Sequence, residues 1–330
     1  MQFQRKRESN PEQIEREMEF QGVNRSDLHD KVKTDIRPSK GDRILDAFII
    51  AILVIVAVAC FYPLFLVLIC SCSDPQYISA GQVWIIPRGF NMDAYKTLLE
   101  TREIWIGYRN SIFYTVVGTT LQMIVTTAAG FALSRRTLPG RRILMLFFLF
   151  PLYFSGGMIP TYLVIKNAGM VNTVWSLIVP VMVGYYNLIL ARNYFENSIP
   201  EEIYESASVD GVNLIRYFVQ FAVPLAVPVL AVMTLNFALG HWNKYFEAMI
   251  YISDDNIQTL QVFIKRITMQ ATSSLEAGAN VDFDTVVEQI RQTQLLKYAV
   301  VIVSSIPMIM LYPLIQRYFV KGIMMGAVKG

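Results

Sequence analysis

Ala47-Phe-Ile-Ile-Ala-Ile-Leu-Val-Ile-Val-Ala-Val-Ala-Cys-Phe-Tyr-Pro-Leu-Phe-Leu-Val-Leu-Ile69 is a run of 23 residues without one charged side chain. As a helix rising ~1.5 Å per residue it extends about 35 Å, enough for the ~30 Å hydrocarbon core of a bilayer. Five more uncharged runs follow: 111–133 and 143–165 at 23 residues each, then 174–191, 221–239 and 298–315 at 18 to 19. A soluble core can supply one such run but not six. The fold class read from this is all-α, a polytopic membrane protein with six transmembrane helices.

Composition agrees. Of 330 residues, 54% are hydrophobic and 17% charged, with a mean hydropathy of +0.39. Ordinary soluble enzymes, disordered chains and collagen-like repeats are excluded. The net charge of +3 is too small for a basic nucleic-acid face. Cys60, Cys70 and Cys72 provide neither a disulfide framework nor a zinc spacing, and His29 and His241 are the chain's 2 histidines, so no metal centre is expected.

The spans divide the chain into an N-terminal cytoplasmic tail at 1–43, a transmembrane domain at 44–320 and a C-terminal cytoplasmic tail at 321–330. The first run begins too far in for a cleaved signal peptide. The tail before it alternates Arg5, Lys6 and Arg7 with Glu12, Glu15, Glu17 and Glu19, and has no apolar face. Lys and Arg set the orientation. Of the 29, 19 fall on the side of both tails and of the Ser134–Arg142 loop, which carries Arg135, Arg136, Arg141 and Arg142 and no acid. Both termini are therefore expected in the cytoplasm. Prolines at 63, 151, 160, 180, 224, 228, 307 and 313 fall in the spans. Each removes a backbone donor, which reads as ordinary kinking and suits a transporter with bent helices.

Between the fourth and fifth spans, the cytoplasmic segment 198–218 departs from a plain loop. Ser198 followed by Glu201 fits a capping box, with Pro200 in the first turn. Glu201, Glu202 and Glu205 suit a helix N-terminus, and Asp210-Gly211 suits its end. The expectation is a helix of about three turns, a turn, and a second helix feeding the membrane. Ser206 and Ala207 leave a low-relief surface beside Glu205. An interfacial helix lying on lipid would instead carry Lys and Arg, so docking on a protein partner is the preferred reading.

Glu205-Ser206-Ala207, then Asp210-Gly211, nine further residues and Phe221-Ala-Val-Pro224 resemble the EAA signature of permease subunits in ATP-binding-cassette (ABC) importers. Ser206 replaces the second Ala of that signature, and Phe221 and Val223 replace Ile and Leu. Pro87-Arg-Gly-Phe90, Asn110-Ser111, Gly156-Gly157-Met-Ile-Pro160, Trp242-Asn243 and the ending Gln316–Gly330 are similar to the carbohydrate branch of that family. The likeness runs from about residue 45 to the end. The Ser-Gly-Gly-Met-Ile-Pro stretch looks most like members that handle polymer-derived oligosaccharides.

The resemblance implies half of an oligosaccharide pathway in a bacterial cell membrane. It also implies a second permease subunit as heterodimer partner, two ATP-binding subunits and an extracytoplasmic solute-binding protein. This chain has no phosphate loop and is expected to be no enzyme; ATP and Mg would sit on the partner ATPases. Coupling is expected through Glu201, Glu202, Glu205, Ser206, Ala207, Asp210, Gly211 and Pro224. Within that set Glu205 would form an ion pair with an ATPase groove, Ala207 would allow close packing, and Gly211 would turn the chain.

Candidate pathway residues are Tyr153, Tyr185, Tyr186, Asn187, Asn236 and Trp242, since aromatic faces, amides and hydroxyls hold sugars; helix packing or an interfacial aromatic belt is the competing reading of each. An importer permease for a non-carbohydrate solute stays open. So does an ion-coupled secondary transporter, although the six runs hold no Asp, Glu, Lys, Arg or His for proton coupling. The polar external segment 251–294, with Asp254, Asp255, Asp282 and Asp284, reads as a solvated surface or a face for the binding protein. The tail 321–330 would reach the ATPases.

Overall fold

A computed structural model describes residues 40–273, 296–311 and 313. Contacts divide the chain into two units, Met1–Tyr62 and Pro63–Gly330. All regular structure among the described residues is helical. The expected N-terminal tail up to residue 39, residues 274–295 and the tail 321–330 lie outside the described residues, and with them Asp282 and Asp284.

Helix Lys40–Ser71 contains the whole first run and continues through Pro63. The second run lies within Arg102–Ser134, a helix of 33 residues that starts well before the expected span. Its buried positions explain the extension. Ile104, Gly107, Ser111, Tyr114 and Gly118 recur every three or four residues, so one stripe facing the interior starts inside the charged first turns.

The next three runs are not straight spans, which corrects the sequence reading. Residues 143–165 divide into Arg141–Tyr153 and Met158–Asn167, bent by 118°. Gly157 takes φ +82° at that break, a conformation open to glycine and costly for other residues. Residues 174–191 divide at a 45° bend between Trp175–Val181 and Tyr185–Asn197. Residues 221–239 straddle an 82° bend between Leu214–Leu225 and Val227–Trp242. Pro228 cannot donate to the Pro224 carbonyl there, and a π-helical stretch at Phe218–Ala222 precedes the break.

Two unbroken helices among the described residues are thus long and apolar enough to cross a membrane, or up to five spans if each bent pair counts once, against six expected. The sixth run is represented by the shorter apolar helix Leu296–Leu311, and its expected end lies mostly outside the described residues.

Arg102–Ser134 is the centre of the Pro63–Gly330 unit and packs chiefly against Tyr185–Asn197 and Val227–Trp242. Small residues permit the approach. A Cβ on Gly130 would stand 2.8 Å from the Ala191 methyl, and one on Gly118 would stand 2.4 Å from His241 Cε1. His241 lies in the Val227–Trp242 helix, past the expected end of the fifth span. It is buried and shares a 3.1 Å hydrogen bond with Gln122. The helix thus carries a titratable side chain just beyond the uncharged run 221–239.

The start of the 251–294 segment, expected to be external, is packed rather than solvated. Asn110 Nδ2 donates to the Asn256 and Gln258 carbonyls at 2.8 and 2.9 Å. Ser111 Oγ accepts from the Leu260 amide at 2.9 Å, and Tyr114 donates to the Ile257 carbonyl at 2.8 Å. Ile252, Gln258, Thr259 and Leu260 are buried, while Asp254 and Asp255 remain exposed.

Candidate functional site

The 198–218 segment forms a helix at Glu201–Val209, about two and a half turns against the about three expected. The capping box does not form. Ser198 closes the preceding helix through its amide, which donates to the Tyr194 carbonyl, and Pro200 occupies the N-cap position without a side-chain bond. Proline leaves no amide to satisfy there, and Glu201 and Glu202 supply negative charge to the first turn instead. At the other end Gly211 takes φ +75°, and the Val212 amide donates to the Ala207 carbonyl at 3.0 Å. This six-to-one bond is the Schellman arrangement that ends a helix at glycine. Asn213 then caps Leu214–Tyr217 by accepting from the Arg216 amide at 2.9 Å.

The helix has two unlike faces. Ile203, Tyr204 and Ala207 turn inward, joining a core that contains Phe131, Phe195 and Tyr217. Ala207 is only 5% exposed, so the close approach it permits is with its own chain, a correction to its expected place against a partner. Glu202, Glu205, Ser206 and Val209 lie on the outer face, all exposed, with Val209 at 88%. Asp210, Gly211 and Pro224 are exposed as well. Just beyond the turn, Leu214 and Ile215 add exposed apolar surface.

Arg135 fastens the inner face. Its guanidinium carbon lies 4.0 Å from the Tyr204 ring centroid and 5.9 to 6.0 Å from those of Phe131 and Tyr217. Its Nη2 reaches Glu201 Oε1 at 3.5 Å. Nearby, Glu196 pairs with both Arg192 and Arg141, the latter at 2.6 Å. Arg141 Nε also donates to the Leu133 carbonyl at 2.7 Å. These contacts tie the end of Arg102–Ser134, the start of Arg141–Tyr153 and the end of Tyr185–Asn197 into one junction.

The expected pathway residues scatter. Asn187 and Asn236 are brought together, the amide of Asn236 donating to Asn187 Oδ1 at 3.3 Å across two helices. Tyr185 is partly exposed beside them in sequence, and Tyr186 and Tyr153 are strongly exposed. Trp242 corrects the reading. Its indole is buried in a core with Leu98, Ile104 and Leu260, and its Nε1 donates to the Ser304 carbonyl at 3.2 Å. It has no polar group left for a sugar.

Comparison with known proteins decides the family. The polygalacturonan/rhamnogalacturonan transport system permease protein YtcP of Bacillus subtilis (strain 168) is 35% identical over 289 residues, 88% of this chain and 99% of that one. The chain belongs to the carbohydrate ABC transport permeases. Protein LplC of the same organism is also 35% identical, over 88% of this chain and 97% of its own. A bacterial ABC transporter involved in the import of the acidic polysaccharide alginate contains a chain with a TM-score of 0.75 and 31% identity, covering 85% of this permease and 98% of that chain. No family model matches the permease.

The permease is accordingly a multi-pass membrane protein of a sugar import system. Two residues that the geometry brings forward have no role in the sequence reading beyond their charge. Arg135 looks like one of four topology-setting arginines, and nothing in its neighbours announces that Tyr204 will lie under it. Lys244 is counted as an external charge, yet it sits two residues past the end of Val227–Trp242, partly buried, with its Nζ donating to the Leu177 carbonyl at 2.7 Å. A lone cation flush with the end of a span was the available signal.

Proposed function

We propose that this permease forms half of the translocation pathway for a polysaccharide-derived oligosaccharide and is driven by ATP hydrolysis on partner subunits. The assembly comprises a second permease subunit, two ATP-binding subunits that hold ATP and Mg, and an extracytoplasmic solute-binding protein. Both termini lie in the cytoplasm, on the side marked by the arginine-rich loop. The chain itself hydrolyses nothing. The oligosaccharide class is supported by two similar proteins, one named for polygalacturonan or rhamnogalacturonan and one for alginate.

The division of the Glu201–Val209 helix into two faces carries the coupling proposal. A helix that is fastened inward through Ile203, Tyr204 and Ala207 and leaves Glu202, Glu205, Ser206 and Val209 outward is built to transmit a push. On the outside a carboxylate beside small and apolar side chains fits a groove with a basic rim. Closure of the ATPases would press on this face, and the inward contacts would carry the displacement to the cytoplasmic ends of the spans. The bent pairs are where such spans flex, because their backbone bonds are already interrupted.

The test is co-purification from membranes. ATP hydrolysis should co-purify with the wild-type chain and be lost with Glu205→Arg, which reverses an exposed charge without touching the core. Undiminished ATPase recovery and oligosaccharide uptake in that variant would end the coupling proposal.

A further inference from the structure

Beside the break between Arg141–Tyr153 and Met158–Asn167 lies a cavity of about 300 Å³. Ser155 and Gly157 line it from the break, Ser176 from the helix Trp175–Ile178, and Lys244, Glu247 and Tyr251 from the chain that follows Val227–Trp242. It reaches the lower end of the ~300–1,000 Å³ range of small-molecule sites, room for a short stretch of a sugar chain.

Lys244 is the unusual member. An ammonium carries three donors, and a single one is committed here, to the carbonyl of buried Leu177. Among the described residues no carboxylate forms an ion pair with it. Glu247, three positions on, is exposed and shares the cavity without reaching it. Burial pushes the ammonium down to about 8, with the Glu247 carboxylate opposing that fall. A cation partly withdrawn from water, with a carbonyl as its sole bonded partner among the described residues, is costly, and a counter-charge supplied by a ligand relieves the cost. The remaining wall offers what a pyranose ring needs, hydroxyl groups and aromatic faces.

We propose that this cavity is a subsite for one carboxylated sugar unit of the transported chain. Lys244 Nζ takes the carboxylate, Tyr251 lies against the ring, and the exposed Ser155 hydroxyl bonds one of its hydroxyls. Glu247, at the exposed side, accepts from hydroxyls and repels a second anion. This inference rests on the oligosaccharide-permease reading and narrows it to acidic chains.

The experiment uses the full complex with its ATPases and binding protein in proteoliposomes. The probes are trigalacturonate and its carboxyl-reduced neutral trimer. Because the binding protein is identical in every preparation, differences between variants belong to the permease. A charge-assisted hydrogen bond is strong enough that its loss should raise KM by about tenfold or more. Lys244→Gln is therefore expected to raise KM for trigalacturonate by about that factor, to leave KM for the neutral trimer within about twofold, and Lys244→Arg should restore the acidic preference. An equal loss for both trimers would assign Lys244 to holding the Leu177 carbonyl and overturn the subsite. An unchanged KM for trigalacturonate would do the same. If the wild-type complex carries the neutral trimer alone, the subsite falls while the oligosaccharide reading stands. If it carries no oligosaccharide at all, both fall.

Discussion

The guanidinium of Arg135 lies over the ring of Tyr204, its carbon 4.0 Å from the ring centroid, and also reaches Glu201. One residue just past the end of a membrane helix thereby holds two residues of the short helix Glu201–Val209. The stack is the stronger of the two contacts. The Arg135 side chain is 15% exposed, whereas Glu201 is 53% exposed and its pairing is weakened by water.

Removing this fastening should loosen coupling more than folding. A cation–π contact of this kind is worth about 0.5–2 kcal/mol. Arg135→Ala is expected to lower the melting temperature by a few degrees and to reduce sugar transported per ATP hydrolysed several-fold. Arg135→Lys, which keeps the charge but not the planar guanidinium, should fall between. An unchanged transport-to-hydrolysis ratio in Arg135→Ala would show that the junction does not carry force.

Gly211 tests the other end of the same helix. Its φ of +75° suits glycine, and a Cβ there would meet nothing within 4 Å, so the cost of substitution is conformational and confined to the turn. A β-branched residue in that region costs roughly 1–2 kcal/mol or more, while Asn tolerates it. Gly211→Val should uncouple transport with normal amounts of protein in the membrane, and Gly211→Asn should remain coupled. Uptake assays with immunoblotting of membranes distinguish these outcomes.

Helix packing around Gly118 is open to a double-mutant cycle. A methyl there would stand 2.4 Å from His241 Cε1, and overpacking of this kind costs about 1–3 kcal/mol. Gly118→Ala should lower thermal stability in detergent. Adding His241→Ala should recover part of that loss, even though each change alone is destabilising, because the side chains compete for one space.

Transport of acidic sugars should depend on pH through Lys244. Its folded-state value is lowered from 10.5 to about 8. The ammonium is therefore charged below about pH 8 and becomes neutral above it. Glu247, Tyr251 and His241 are the titratable neighbours, and Glu247 opposes the fall. KM for an acidic trimer should rise between about pH 7.5 and 9, and the rise should vanish in Lys244→Arg. A flat profile over that interval in the wild-type complex would count against a role for the lysine charge.

Much of the architecture was legible from the uncharged runs. The helix Lys40–Ser71 holds the first of them, and Arg102–Ser134 holds the second. The short acidic helix was legible too, through its acidic start and Asp210-Gly211 end. Its cap was not, because Ser198 can serve the end of one helix as readily as the start of another, and the choice depends on where Tyr185–Asn197 stops. The inward face of Ala207 was hidden for a related reason: a small residue signals close approach without naming the neighbour.

Hydrophobicity and charge placement, read along the chain, determined that this is a helical membrane protein, which segments are apolar, and where a short acidic helix lies. They act locally, through transfer of side chains from water and through backbone propensity. Tertiary structure alone decided that three runs bend, by 118°, 45° and 82°, since a proline or glycine permits a break without dictating its angle. It also decided that Trp242 is core, that Arg135 meets Tyr204, and that Lys244 opens on a cavity. Each of those depends on which distant side chain fills the adjoining space, and no local pattern in the chain encodes that.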